Sequence, residues 1–168
     1  MQMPKAIFSN PKRWITAGVI LAVVIAVGAV NNFFIMWAFL GVLFLFAFHE
    51  AMGLFELYNP ALYVYAAALW VAAYFYPNPV ELFFLAFLIL AAIGAYNKNE
   101  QKQFLMPFLY PAAGFLFLLV LYSDFGIYAM FWLLAVVAAT DIGAYFTGKS
   151  LGKRSFSPSS PNKTIEGV

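Results

Sequence analysis

Long apolar runs, separated by short polar breaks, dominate the sequence. The runs do not alternate apolar and polar side chains as the strands of a membrane barrel do, and their length suits helices crossing a hydrocarbon core of roughly 30 Å. In lipid a helix pairs its own backbone groups within one segment. The pattern therefore predicts an all-α, polytopic transmembrane protein of about six spans. The predicted spans are residues 15–30, 33–48, 61–76, 80–96, 104–122 and 125–146.

The breaks between these runs consist of turn-forming and charged residues. They are Asn31-Asn32, Asn59-Pro60, Pro77-Asn78-Pro79, residues 97–103 and Ser123-Asp124. Asn, Pro, Ser and Asp favour turns and helix ends. We therefore expect a transmembrane helical domain over residues 1–147, followed by a cytoplasmic substrate-binding loop over residues 148–168 that is truncated at the end of this chain.

Composition supports lipid as the outer solvent. Hydrophobic residues make up 65% of the chain and charged residues only 10%, whereas soluble domains are nearer half apolar and a quarter charged. Cysteine is absent, which excludes disulfides, zinc-thiolate sites and cysteine nucleophiles. The sequence carries no basic stripe interleaved with aromatic residues, so we expect no nucleic-acid partner.

The positive charges indicate an orientation. If the N-terminus is cytoplasmic, all nine Lys and Arg residues fall on the inner side, as the positive-inside rule requires. Both termini are then predicted to be cytoplasmic. The nine residues are Lys5, Lys12, Arg13, Lys98, Lys102, Lys149, Lys153, Arg154 and Lys163.

Two local motifs carry little weight. Residues 143–150 match the phosphate-binding P-loop pattern letter for letter, but they begin inside an apolar run, hold Tyr and Phe at variable positions and follow no predicted strand. His49-Glu50 resembles the start of a zinc-protease motif, yet His49 is the only histidine. This pair is either a polar helix end or a sign that Glu50 helps to build a cytoplasmic cavity.

Asp141 is the most informative single residue, because it lies within the last apolar run. A carboxylate at that depth costs several kcal/mol unless it is paired, protonated, bound to metal or facing water. It either pairs with a Lys or Arg on a neighbouring helix or marks a functional site. After it, residues 148–168 are rich in Lys, Arg, Ser and Thr. These donors suit a polyphosphate, although a basic tail attracted to anionic lipid has the same composition.

One block of about 28 residues resembles a known family. The matching positions are Asp141-Ile142-Gly143-Ala144-Tyr145-Phe146, Gly148, Gly152-Lys153, Ser157-Pro158, Ser160-Pro161, Lys163-Thr164 and Glu166-Gly167. Bacterial phosphatidate cytidylyltransferases, or CDP-diacylglycerol synthases, typically show Asp-Thr-Gly-Ala-Tyr-Phe, then Gly-Lys, then Ser-Pro-Lys-Lys-Thr-Trp-Glu-Gly. The departures are Ile142, Asn162 and Ile165. The family's downstream signature, with most of its metal-binding aspartates, is absent from this chain, so we expect residues 1–168 to be its N-terminal part and to be inactive alone.

The resemblance implies a multi-pass enzyme of the bacterial inner membrane whose active site faces the cytoplasm. Its reaction joins CTP and phosphatidate to give CDP-diacylglycerol and pyrophosphate, in phospholipid biosynthesis. The implied cofactor is Mg²⁺, with a second cation as an option. The implied partners are CTP, phosphatidate and membrane lipid. A homodimer is one option for its assembly. Two alternatives stay open. One is a CTP-dependent prenol kinase or an ether-lipid CDP synthase of the same superfamily, and the other is a membrane transporter with Asp141 as its ion site.

Carried onto this sequence, the resemblance assigns roles residue by residue. Asp141, Lys163 and Glu166 are the expected catalytic residues, and Asp141 is also the expected Mg²⁺ ligand. The substrate-binding residues expected on the same ground are Lys153, Ser157, Ser160 and Thr164, and the basic composition of the loop adds Arg154.

Overall fold

A computed structural model describes residues 11–57, 59–96, 104–157 and 160–167. The long helices are α1 (Pro11–Val30), α2 (Phe33–Leu54), α3 (Pro60–Phe75), α4 (Pro79–Tyr96) and α6 (Ala113–Leu151). A short helix α5 (Leu105–Pro107) and a π-helical stretch (Phe108–Ala112) precede α6. After α6 come the strands β1 (Ser155–Ser157) and β2 (Ser160–Thr164) and a final 3₁₀ turn (Ile165–Gly167). The prediction that the apolar runs form helices is confirmed. The β1–β2 ribbon is not part of the predicted all-α fold, and it lies after the last apolar run.

The polar breaks act as helix starts. The Asn32 side chain accepts a hydrogen bond from the Ile35 N–H at 3.2 Å, and that of Asn59 accepts from the Ala61 N–H at 3.0 Å. Before α4, the Asn78 side-chain oxygen accepts a hydrogen bond from the Glu81 N–H at 3.5 Å. Each bond supplies a partner for a group near a helix N-terminus, where intrahelical partners are missing. The asparagines therefore fix where α2, α3 and α4 begin, while the predicted break at 97–103 lies outside the described residues.

The chain divides into two compact units, Met1–Asp124 and Phe125–Val168. The core of the first unit lies among α2, α3 and the π-helical stretch. Phe44 stacks on Trp70 with ring centroids 5.2 Å apart, and Phe48 meets Phe108 edge-on at 5.0 Å. Two tryptophans also link α2 to α3. The Trp37 indole N–H donates to the Trp70 carbonyl at 2.9 Å, and the Trp70 indole N–H donates to the Trp37 carbonyl at 3.2 Å.

The Trp70 ring also packs closely against the backbone of α2 at Gly41. A Cβ at Gly41 would overlap the Trp70 indole nitrogen and lie 2.8 Å from its Cδ1. The glycine on α2 thus lets the Trp70 ring lie against the helix backbone. Small residues that allow such close approach are typical of helix contacts in membranes.

Among the described residues, three helical stretches are long and apolar enough to cross a membrane: Phe33–Leu54, Pro79–Tyr96 and Leu105–Leu151. Gly18–Val30 and Pro60–Phe75 are shorter apolar helices. The longest stretch is interrupted at Gly126, whose φ of 74° and ψ of −171° are not helical. A glycine adopts this conformation without the steric cost that a Cβ brings. The interruption falls at the second residue of the predicted run 125–146, two residues beyond the expected break at Ser123-Asp124.

Candidate functional site

One face of α6 carries a row of polar and small residues near its C-terminal end. Thr140, Asp141, Ala144, Tyr145 and Gly148 are spaced by one, three, one and three positions, which places them on the same side of a helix. These side chains therefore form a strip near the C-terminal end of α6, beside the chain segment that follows it.

Lys149 extends this strip. Its Nζ donates a hydrogen bond to the Tyr145 hydroxyl at 3.1 Å and lies 5.4 Å from the centroid of the Tyr145 ring. A cation near an aromatic face gains electrostatic attraction from the ring. The phenol thus holds the ammonium group at one position along the strip.

The segment after α6 folds into a small ribbon. Strands β1 and β2 pair antiparallel, with Ser155 opposite Thr164 and Ser157 opposite Ser160. At the open end of the ribbon, the Ile165 N–H donates to the Arg154 carbonyl at 3.0 Å. The ribbon and the 3₁₀ turn make up most of the described part of the predicted loop 148–168, whose first four residues instead belong to α6.

Glycines bring this ribbon against the last turns of α6. A Cβ at Gly167 would lie 2.7 Å from the Gly148 Cα and 2.8 Å from the Ala144 carbonyl oxygen. A Cβ at Gly152 would overlap the Gly148 carbonyl oxygen and lie 2.6 Å from the Thr164 side chain. Because these contacts involve backbone atoms, the 3₁₀ turn touches the helix itself and not merely its side chains.

An open cavity of about 620 Å³ lies between the α6 strip and the ribbon. Of the described residues, Asp141 contributes a carboxylate to its lining, and Lys149 and Lys163 contribute ammonium groups. Lys163 and Asp141 are exposed, whereas Thr164 is half-buried. Such a mixture can bind an anion through the lysines while the carboxylate holds a counter-cation or orients a lysine. The lining residues are Thr140, Asp141, Ala144, Tyr145, Gly148, Lys149, Lys163, Thr164 and Gly167.

The predicted site residues divide into two groups. Asp141, Lys163 and Thr164 line the cavity together. The lining does not include Lys153, Arg154, Ser157, Ser160 or Glu166. Their assignment as substrate-binding or catalytic residues therefore stays a prediction.

Glu166 has a different set of partners. Its Oε2 accepts a hydrogen bond from the Lys153 backbone N–H at 3.1 Å. Its own backbone N–H, then the N–H groups of Lys153 and Arg154, lower the pKa of the Glu166 carboxyl below its usual range. Backbone donors favour the ionised form of a carboxylate. The Glu166 carboxylate therefore connects the 3₁₀ turn after the ribbon to the residues just before it, through its hydrogen bond with the Lys153 N–H.

Three of the polar side chains that line the cavity were not predicted as site residues from the sequence, namely Thr140, Tyr145 and Lys149. For Tyr145 and Lys149 the signal is their helical spacing, since residues four and eight positions after Asp141 share its face. Thr140 directly precedes Asp141, and its spacing from Asp141 gives no such signal. The same helix also explains the P-loop-like letters at 143–150. These residues are helical, so their N–H groups do not form a phosphate-cradling loop.

Other sequence candidates lie in the first unit. His49 Nδ1 shares a hydrogen bond with the Tyr63 hydroxyl at 2.7 Å, near the end of α2. This contact links α2 to α3, as expected of a polar helix end.

The donors in the cavity fit part of a magnesium site. Mg²⁺ is commonly held by one or two carboxylates together with substrate phosphates and water. Asp141, beside the Thr140 hydroxyl on the strip, offers one such carboxylate. The described residues contain no group of three or more His, Asp or Glu side chains that could hold a metal by themselves. Asp141 thus suits a site that phosphate oxygens help to complete.

Comparison with known proteins places this geometry in a family. Residues 11–168 match the family model described as the cytidylyltransferase family. Phosphatidate cytidylyltransferases from two strains of Helicobacter pylori are each 41% identical over 167 residues, which cover 99% of this chain and 63% of each relative. The phosphatidate cytidylyltransferase of Bacillus subtilis is 33% identical over 105 residues, covering 54% of this chain and 36% of the relative.

The solved structures contain no significant match. The chain spans 63% of the length of the Helicobacter relatives. The family match nevertheless extends from α1 through the α6 strip and the ribbon. This chain belongs to the cytidylyltransferase family.

Proposed function

We propose that the protein containing this chain is a phosphatidate cytidylyltransferase, which converts CTP and phosphatidate into CDP-diacylglycerol and pyrophosphate. The main observation in support of this proposal is that Asp141, Lys149 and Lys163 line the same cavity. It is supported by the relatives of that name that match the chain over 99% of its length. Both substrates are anionic, so their reaction needs positive charge at the phosphates.

The reaction is an in-line displacement. A phosphate oxygen of phosphatidate attacks the α-phosphorus of CTP, a new P–O bond forms, and the bond to pyrophosphate breaks. The pyrophosphate departs with the electron pair of that broken bond. Catalysis of such transfers relies on positioning and on stabilising charge that develops on phosphate oxygens.

The cavity residues supply these needs in separate ways. Lys163, from the ribbon, and Lys149, held by the Tyr145 hydroxyl at 3.1 Å, present ammonium groups to the phosphates from two sides of the cavity. The Thr164 hydroxyl donates to the Gly148 carbonyl at 3.5 Å, which ties the ribbon next to Lys163 to α6. Asp141 would hold Mg²⁺, which when bound neutralises phosphate charge.

We also propose a topology of six spans with both termini in the cytoplasm. The one-sided distribution of Lys and Arg supports it. It would place the ribbon on the cytoplasmic side, where CTP is dissolved, while phosphatidate stays in the inner leaflet of a bacterial inner membrane. Reporter fusions at Asn78 and Lys102 should then report opposite sides, and fusions reporting the same side would refute the six-span arrangement.

The reaction type is tested by following two phosphorus atoms of CTP. The full-length protein in detergent is given phosphatidate or, in a parallel reaction, a prenol, together with Mg²⁺ and CTP labelled at either the α- or the γ-phosphorus. We expect only the α-label to enter lipid, as CDP-diacylglycerol, with the γ-label recovered in pyrophosphate. Transfer of the γ-label to a prenol instead would show a CTP-dependent kinase, and no transfer of either label would refute the proposal.

A further inference from the structure

Glu166 lies three residues after Lys163 but does not line the cavity. Its carboxylate instead accepts a hydrogen bond from the Lys153 N–H, at the point where the chain leaves α6. The Ile165 N–H adds a second link, to the Arg154 carbonyl at 3.0 Å. Residues 153–154 and 165–166 are thus joined side by side, across the open end of the ribbon.

This pair of links closes the ribbon as a clasp. Without it, the open end would be held by strand pairing and by the glycine contacts with α6, notably Gly167 against Gly148 and Ala144. A two-stranded ribbon is marginally stable by itself in water. Because Lys163 and Thr164 stand directly before the clasp, their position in the cavity depends on its being closed.

We propose that Glu166 is a positioning residue whose carboxylate clasps the two ends of the ribbon and thereby holds Lys163 and Thr164 at the cavity. This inference rests on the proposed function for its catalytic consequence, whereas the clasp itself does not depend on the reaction. It differs from the catalytic role that the family resemblance implies for Glu166.

The chemistry of the carboxylate agrees with positioning. Three backbone N–H groups keep the pKa of Glu166 low, and a carboxylate of low pKa is a weak general base at neutral pH. Its lone pairs are directed to backbone donors, which is how a carboxylate fixes a turn. The ammonium groups that the described residues present to the cavity, and that could contact phosphates, come from Lys149 and Lys163.

Trypsin gives a test that needs no catalysis, because the clasped segment carries two of its cleavage sites, after Lys153 and after Arg154. We compare the full-length protein with Glu166→Ala and Glu166→Gln, and use Asp124→Asn, an exposed carboxylate outside the ribbon, as the control. Cleavage tracks the population of opened segment. Glu166→Ala should raise the cleavage rate at these sites by about tenfold, since a charge-assisted bond is lost.

The conservative variant separates positioning from chemistry. In Glu166→Gln the side-chain amide oxygen still accepts one N–H, so this variant should fall between the wild type and Glu166→Ala in tryptic cleavage. We expect kcat/KM for CTP to follow the same order, and Asp124→Asn to leave cleavage after Lys153 and Arg154 unchanged.

Two results would overturn the proposal. If Glu166→Ala leaves tryptic cleavage at the wild-type rate, there is no clasp. If Glu166→Gln keeps the wild-type cleavage rate but loses as much kcat as Glu166→Ala, the charge itself acts in the reaction. Should the wild-type protein show no cytidylyltransferase turnover, the proposed function fails, while the cleavage rates still decide the clasp.

Discussion

Replacing Gly167 by alanine should force the ribbon away from α6. The added Cβ would lie 2.7 Å from the Gly148 Cα, whereas ordinary contact begins at 3.4 Å, so one backbone must move by about 0.7 Å. It would also approach the Ala144 carbonyl oxygen to 2.8 Å. Neither atom belongs to a flexible side chain that could turn aside. Overpacking of this kind typically costs about 1–3 kcal/mol, which raises the opened population of the ribbon roughly 5- to 150-fold.

The matched control is Gly143→Ala on the same helix. A Cβ at Gly143 meets nothing within 4 Å, and alanine is favoured over glycine in a helix interior by roughly 0.5–1 kcal/mol. Hydrogen exchange of the full-length protein in detergent, followed by mass spectrometry, reports both variants on the same peptides. Gly167→Ala should accelerate exchange over residues 152–167, and Gly143→Ala should not.

The exchange experiment can refute the reasoning directly. If peptides covering residues 152–167 exchange at the same rate in Gly167→Ala as in the wild type and in Gly143→Ala, the 3₁₀ turn is not seated against the α6 backbone. The cavity between α6 and the ribbon would then lack the contacts that define one of its sides.

Three further predictions concern other contacts. Gly41→Ala should lower the melting temperature in detergent, because overlap with the Trp70 ring costs about 1–3 kcal/mol. Gly53→Ala, where a Cβ meets nothing within 4 Å, should not lower it. Because the pKa of Glu166 is lowered in the folded protein, its ionised carboxylate stabilises the closed ribbon. This stabilisation is complete above the usual glutamate range and is lost as the pH falls through the lower folded value. Exchange protection of the ribbon, corrected for intrinsic rates, should therefore decline as the pH falls from the usual glutamate range through the lower folded value, with no such step in Glu166→Gln. Lys149→Ala should reduce kcat/KM roughly 10²-fold if its ammonium contacts a reacting phosphate, and an unchanged kcat/KM would remove Lys149 from the site.

Much of the helical architecture could be predicted from the sequence. Apolar runs and asparagine-containing breaks identify α2, α3 and α4, because Asn32, Asn59 and Asn78 cap helices with their side chains. The interruption of α6 was harder to place. The Ser123-Asp124 pair predicts a break, but the non-helical residue is Gly126, since a φ of 74° favours a residue without a Cβ.

The site was predictable only in part, and for a geometric reason. A contiguous motif around Asp141 identifies the region but does not tell which neighbours share its helix face. Lys149 lies in the cavity with Asp141, whereas Glu166, within the same block of the sequence, turns to backbone donors. Which of these side chains faces the cavity depends on how the ribbon packs against Gly148 and Gly152. The residue types alone do not specify that packing.

The central claim is that the cavity between α6 and the ribbon is the site of the reaction. Its most direct test compares Lys163→Ala with Lys5→Ala in the full-length protein, since each removes one positive charge. The measurement is CDP-diacylglycerol formation in detergent, with CTP and Mg²⁺ both titrated. Lys163→Ala should lower kcat/KM by roughly 10²–10³-fold, as loss of one donor to developing charge typically does, while Lys5→Ala stays near the wild type. Equal and small effects of the two changes would contradict the claim, because Lys163 would then act as one more charge near anionic lipid.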